Sequence, residues 1–71
     1  MYTLIPTTTV IYTQSGATYI LGPKRRITGG SLMIRDGILN DCHIAVGKRM
    51  VITNLEDGHH IITTPIERII P

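Results

Sequence analysis

Four side chains of this sequence have the chemistry of metal ligands, and they form two adjacent pairs. Cys42 precedes His43, and His59 precedes His60. Neighbouring residues on a β-strand point to opposite faces of the sheet, so neither pair is expected to hold one ion by itself. A metal site would need one member of each pair to meet across the fold. We therefore predict no metal site and no cofactor, and Cys42, His43, His59 and His60 are the remaining candidate ligands.

The nucleophiles of the chain lack the surroundings that catalysis needs. Cys42 has the same strand parity as Ile44 and Val46, which predicts a core position rather than a reactive thiol. Ser15 and Ser31 both stand beside glycines, but neither lies in the GxSxG pattern of a hydrolase elbow. The sequence therefore predicts a protein that is not an enzyme.

Five of the seven basic residues fall in two short clusters, each beside a glycine. Neither cluster fits the GxxxxGK[ST] phosphate loop, and no helix pattern follows either one. Converging basic loops would bind nucleic acid or another phosphate-bearing ligand, whereas separate ones would only keep strand edges soluble. A net charge of +2 and few aromatic residues leave both readings open. The candidate binding residues are Lys24, Arg25, Arg26, Lys48 and Arg49.

The length of the chain limits its architecture to one small domain, residues 1–71. An apolar content of 42% with only 17% charged residues argues against disorder. The single cysteine permits no internal disulfide. The sequence has no apolar run of about 18 residues, and its start lacks the layout of a secretory signal. We expect a soluble cytoplasmic protein without a membrane partner.

The composition predicts an all-β fold. Thirteen Ile, ten Thr and three Val are β-branched, and such residues favour strands over helices. Turn-forming residues recur every eight to twelve positions, as in small barrels and sandwiches. We predict a single barrel-like or sandwich-like domain of five to six short antiparallel strands. An uneven Gly-plus-Ile rhythm leaves a short β-solenoid as the alternative.

The turn pattern predicts where the strands lie. Asp36-Gly37 has the sequence of a type I′ hairpin turn, which needs positive φ at both central residues. That turn would bring apolar residues to both faces, so either a bulge shifts the register or both faces are covered. The predicted strands are Thr7–Thr13, Thr18–Leu21, Ser31–Arg35, Ile38–Val46, Arg49–Thr53 and His59–Thr64, with Ile66–Ile70 as a last strand or a 3₁₀ turn.

The missing large aromatics bear on the oligomeric state. Phe and Trp are absent, and only three Tyr are present. A core of Ile, Leu, Val and Met supplies less buried area per residue, so a monomer of this length is expected to be thin. A small domain of this kind is usually stabilised by burying apolar surface against a second copy of the chain. We therefore expect a homo-oligomer.

Three local segments resemble a known group of proteins. They are Thr13-Gln14-Ser15-Gly16-Ala17-Thr18-Tyr19, Val46-Gly47-Lys48-Arg49 and Ile62-Thr63-Thr64-Pro65-Ile66-Glu67-Arg68-Ile69. Together they resemble small uncharacterised bacterial and phage β proteins with the frame T-x-S-G-x-x-Y, then V-G, then T-[TS]-P-[VI]. The resemblance implies a bacterial or phage origin and brings no activity with it.

These observations lead to three functional hypotheses. The first is a non-catalytic binding or assembly module that acts as a homo-oligomer. The second is a nucleic-acid or nucleotide-binding barrel that uses the basic loops. The third is a phage-type inhibitor that sequesters a host factor, which the sequence does not separate from the first two.

Overall fold

The computed structural model describes residues 8–41 and 43–71 as one antiparallel sheet. No α-helix occurs in these ranges, which confirms the all-β class. No helix in the described part of the chain has the length and apolar character needed to cross a bilayer. The sheet has seven strands where five to six were predicted: β1 Thr9–Thr13, β2 Thr18–Leu21, β3 Arg26–Gly29, β4 Ile34–Leu39, β5 Val51–Asn54, β6 His60–Ile62 and β7 Ile66–Ile70.

The strand order is β6-β5-β4-β3-β2-β1-β7, so six strands form a meander and β7 returns to pair with β1. The sheet curls into a half-barrel. At its start, β7 is bonded on both sides: Ile66 pairs with Thr13 of β1, while its N–H donates to the Lys48 carbonyl oxygen at 2.9 Å. The Gly47 N–H donates to the Ile66 carbonyl oxygen at 2.8 Å. This antiparallel meander excludes the solenoid alternative.

One face of the curled sheet forms the core. Ile11 lies opposite Tyr19, and Leu39 lies opposite Ile52, so cross-strand partners point inward together. The core is aliphatic apart from one tyrosine and contains Ile11, Tyr19, Ile27, Ile34, Leu39, Met50, Ile52 and Ile66. Four of these residues, Ile11, Ile27, Ile52 and Ile66, are 0% exposed. A single chain therefore encloses its own interior.

The predicted Asp36-Gly37 hairpin turn is wrong. Both residues lie inside β4, where Gly37 pairs with Ile27 on one side and with Asn54 on the other. Gly37 does not have positive φ. A Cβ atom at this position would stand 2.9 Å from the Ile27 carbonyl oxygen and 3.0 Å from Ile34 Cγ2. Glycine is required here by close packing rather than by a turn.

Errors in the predicted strands follow from that misplaced turn. Strand β3 was missed, and the chain reverses between β3 and β4 through a turn in which the Met33 N–H donates to the Gly30 carbonyl oxygen. The predicted strands Ser31–Arg35 and Ile38–Val46 are replaced by β4 alone. A register shift does occur between β3 and β4, but it lies between Ile27 and Gly29 of β3 and not in the predicted long strand Ile38–Val46. Thr7 and Cys42, which fell in predicted strands, lie outside the described residues.

Candidate functional site

The turn between β2 and β3 has an unusual backbone for its residues. Lys24 has φ 57° and Arg25 has φ 62°. The Arg26 N–H donates to the Pro23 carbonyl oxygen, and the Gly22 N–H donates to the Arg26 carbonyl oxygen at 2.7 Å. A type I′ turn has positive φ at both central residues, and a hydrogen bond joins its first and fourth residues, here Pro23 and Arg26. We call Pro23–Arg26 the basic turn.

The residue types of the basic turn oppose its conformation. Glycine, asparagine and aspartate enter the left-handed region readily, whereas other residues pay roughly 1–2 kcal/mol each. Lys24 and Arg25 are both exposed. Among the described residues, neither side chain makes a hydrogen bond or an ion pair within 4.0 Å. The fold therefore holds two unpartnered cations on a strained turn.

The third residue of the cluster is engaged with the protein itself. Arg26 begins β3, and its guanidinium forms an ion pair with Asp36 of the neighbouring strand β4. Both side chains are exposed, at 54% and 43% respectively. Such an exposed pair contributes at most about 1 kcal/mol to stability, but it directs the Arg26 side chain along the sheet.

The second basic cluster lies elsewhere and has internal partners. Lys48 Nζ donates to the His43 carbonyl oxygen at 3.5 Å, and an Arg49 guanidinium nitrogen donates to the Thr63 carbonyl oxygen at 3.3 Å. The two clusters lie at opposite ends of β1. Lys48 is hydrogen-bonded to Ile66, which pairs with Thr13, the last residue of β1. The basic turn follows Leu21, which pairs with Thr9, the first residue of β1. One strand length, about 13 Å, separates these levels. The structure does not bring the two clusters into one patch.

The candidate metal ligands do not assemble within the described residues. No group of three or more His, Cys, Asp or Glu side chains that could hold a metal ion occurs in residues 8–41 and 43–71. His60 Nδ1 lies 3.0 Å from Thr53 Oγ1, and the His59 N–H donates to Asp57 Oδ1. His43 is exposed. Cys42, the fourth candidate, lies outside the part that the structure describes.

A shallow cleft of about 570 Å³ opens between two turns at the end of the sheet away from the basic turn. One side is the β1–β2 turn with Ser15, and the other is the β3–β4 turn, where Leu32 is 69% exposed and Met33 is 79% exposed. The Tyr19 ring lies against Gly30, one of the lining residues, since a Cβ on Gly30 would lie 2.5 Å from it, and burial raises the pKa of the Tyr19 hydroxyl. The residues lining this cleft include no acid, histidine or cysteine.

Apolar side chains also form a row across the outer face of three adjacent strands. Val10 of β1 pairs with Ile20 of β2 on one side and with Ile70 of β7 on the other. Because their neighbours Ile11 and Tyr19 point into the core, these three point outward. Ile20 is 48% exposed, and Val10 and Ile70 are partly buried. The sequence has surplus apolar residues on both strand parities, but it contains no signal that locates this row.

Comparison with known proteins finds no matching family model, no matching curated protein and no matching solved structure. The resemblance to small bacterial and phage proteins therefore stays a prediction from the sequence.

Proposed function

We propose that this protein is a non-catalytic binding or assembly module that works as a homo-oligomer. The observation that carries the proposal is the outer apolar row formed by Ile70, Val10 and Ile20. The core is already enclosed without these side chains, so their burial adds to stability only if something covers the outer face.

A second copy of the chain is the occupant that fits this row. The row contains no charged residue, and an identical row on a partner is apolar at the same positions, as a two-fold interface requires. The molecule measures 41 × 27 × 20 Å, so its broad face is large enough for the roughly 800 Å² per partner of an ordinary interface. Pairing would also supply the apolar burial that a core without Phe or Trp lacks.

We do not propose a catalytic role for the cleft of about 570 Å³. A hydrolytic site would need a base beside Ser15 or Ser31, and the residues that line this cleft supply none. The bacterial or phage origin and the cytoplasmic location expected from the sequence belong to the same proposal.

Sedimentation of the purified chain tests the proposal. The expected result is a species at a multiple of 7.9 kDa at micromolar concentration. Ile20→Arg places a charge at the most exposed position of the row, and leaving such a charge unpaired in the interface weakens self-association on the order of a hundredfold.

Leu32→Arg is the matched control, because Leu32 is the more exposed side chain and lies on a turn away from the row. This variant should associate like the wild type. A wild-type monomer would refute the oligomer, and dissociation by Leu32→Arg but not by Ile20→Arg would move the interface to the other end of the sheet.

A further inference from the structure

We propose that the basic turn is a contact site for the phosphates of double-stranded nucleic acid, with Lys24 and Arg25 as the binding residues. This inference is independent of the proposed self-association, because it concerns a different part of the molecule. It narrows the five candidate cations to the two that the described structure leaves without a partner.

The residue types at Lys24 and Arg25 conflict with their left-handed backbone. Residues held in a sparsely populated conformation persist when the surrounding structure over-determines them, and they concentrate at functional positions. Asn-Gly would fit the same two positions with less strain. Lys24 and Arg25 make no described contact that offsets the strain, so their benefit to the protein lies in what their exposed side chains bind.

Lys24 and Arg25 differ from the other three candidate cations, which have partners within the protein. Arg26 is paired with Asp36, Lys48 with the His43 carbonyl oxygen and Arg49 with the Thr63 carbonyl oxygen. A phosphate would have to compete with these contacts. At Lys24 and Arg25 it would meet two adjacent donors on a narrow, exposed turn.

The surroundings of the basic turn suit a duplex better than a single strand. Proteins that bind single strands combine cations with aromatic side chains on which the bases stack. The two described aromatic residues do not form such a platform beside the turn. Tyr19 is buried at 5% exposure, and Tyr12 pairs with Thr18 at the opposite end of β2. Contacts to the phosphates of a duplex need no stacking and carry no sequence preference.

Titration of a fluorescent 24-base-pair duplex by anisotropy, across a series of salt concentrations, tests the site. Two phosphate contacts per chain predict that log K falls with log salt with a slope of about −1.8. The double variant Lys24→Asn/Arg25→Gly should lose roughly tenfold or more in affinity at low salt and flatten that slope. Its melting temperature should not fall, because the new residues suit the turn.

The control variant Arg35→Gln/Arg68→Gln removes two exposed cations elsewhere and gives the same net charge. It should retain most of the affinity. An equal loss in both variants would overturn the site, since binding would then follow overall charge. Unchanged binding by Lys24→Asn/Arg25→Gly, no binding by the wild type, or preference for a single strand of the same length would also overturn it.

Discussion

The basic turn and the Asp36-Gly37 segment of β4 lie close together, joined by the Arg26–Asp36 ion pair, yet they make opposite demands on the chain. At Gly37 the backbone does not have positive φ, but there is no room for a side chain, because atoms of three core isoleucines crowd the position of a Cβ. At Lys24 and Arg25 space is abundant and the backbone is strained. The first site is explained fully by packing. The second has no structural benefit among the described contacts, so we assign it to binding.

The largest effect is expected at Gly37. Its Cβ would meet the Ile27 carbonyl oxygen at 2.9 Å, Ile34 Cγ2 at 3.0 Å and Ile52 Cγ2 at 3.2 Å, and none of these can move freely. Gly37→Val should lower the free energy of unfolding by about 3 kcal/mol or more. A domain of this size has only roughly 4–10 kcal/mol in total, so thermal melts should show partial or complete unfolding near room temperature.

Gly16 provides the contrast for Gly37, because it has φ +88° and no heavy atom within 4 Å of a built Cβ. Gly16→Ala should cost only the left-handed penalty of about 1 kcal/mol. Gly37→Ala should cost clearly more than that. Equal melting temperatures for the two alanine variants would mean that packing does not distinguish Gly37, and the difference between the two regions would disappear.

The next effect has the opposite sign and concerns the basic turn. Lys24→Asn/Arg25→Gly should raise the free energy of unfolding by about 1–2 kcal/mol, because both new residues enter the left-handed region more easily. For a domain of this length that corresponds to a melting temperature higher by about 4 °C or more. Thermal melts of the variant and the wild type give the difference directly.

Lys24→Ala/Arg25→Ala separates strain from charge repulsion in the basic turn. It removes both cations but keeps a Cβ at each position, so the strain remains and little stability should be gained. If the alanine variant were stabilised as much as the Asn-Gly variant, repulsion between the cations would be the cause, and the left-handed backbone would carry no cost.

The sequence predicts best those strands whose ends have a single possible turn. Thr18–Leu21 was predicted with its observed bounds, and Ile66–Ile70, left open as a strand or a 3₁₀ turn, is a strand. Two turn-like dipeptides, Gly29-Gly30 and Asp36-Gly37, stand only a few residues apart, and the chain reverses only after the first of them. The choice depends on contacts between distant residues: Tyr19 lies against Gly30, and Ile52 lies against Gly37.

For a similar reason, the sequence predicts which residues belong to the candidate site but not their conformation or their partners. Clustered charge in the sequence was enough to nominate Lys24 and Arg25. Their left-handed conformation was not predictable, since neither residue type prefers it. The partners of Arg26, Lys48 and Arg49 come from other strands and loops, so the sequence could not divide the five cations into engaged and unpartnered ones.

The smallest effect tests whether the two regions are coupled at all. Arg26 ends the basic turn and Asp36 precedes Gly37, and their ion pair is a side-chain contact between the two regions, in addition to the pairing of β3 with β4. A double-mutant cycle with Arg26→Gln and Asp36→Asn should give a coupling energy of about 0.2–1 kcal/mol, because both side chains are largely solvated. The coupling should shrink as salt is raised from low to high concentration. A coupling well above this range, or one insensitive to salt, would show that the ion pair helps to hold the strained turn, and the two regions could then no longer be treated as independent.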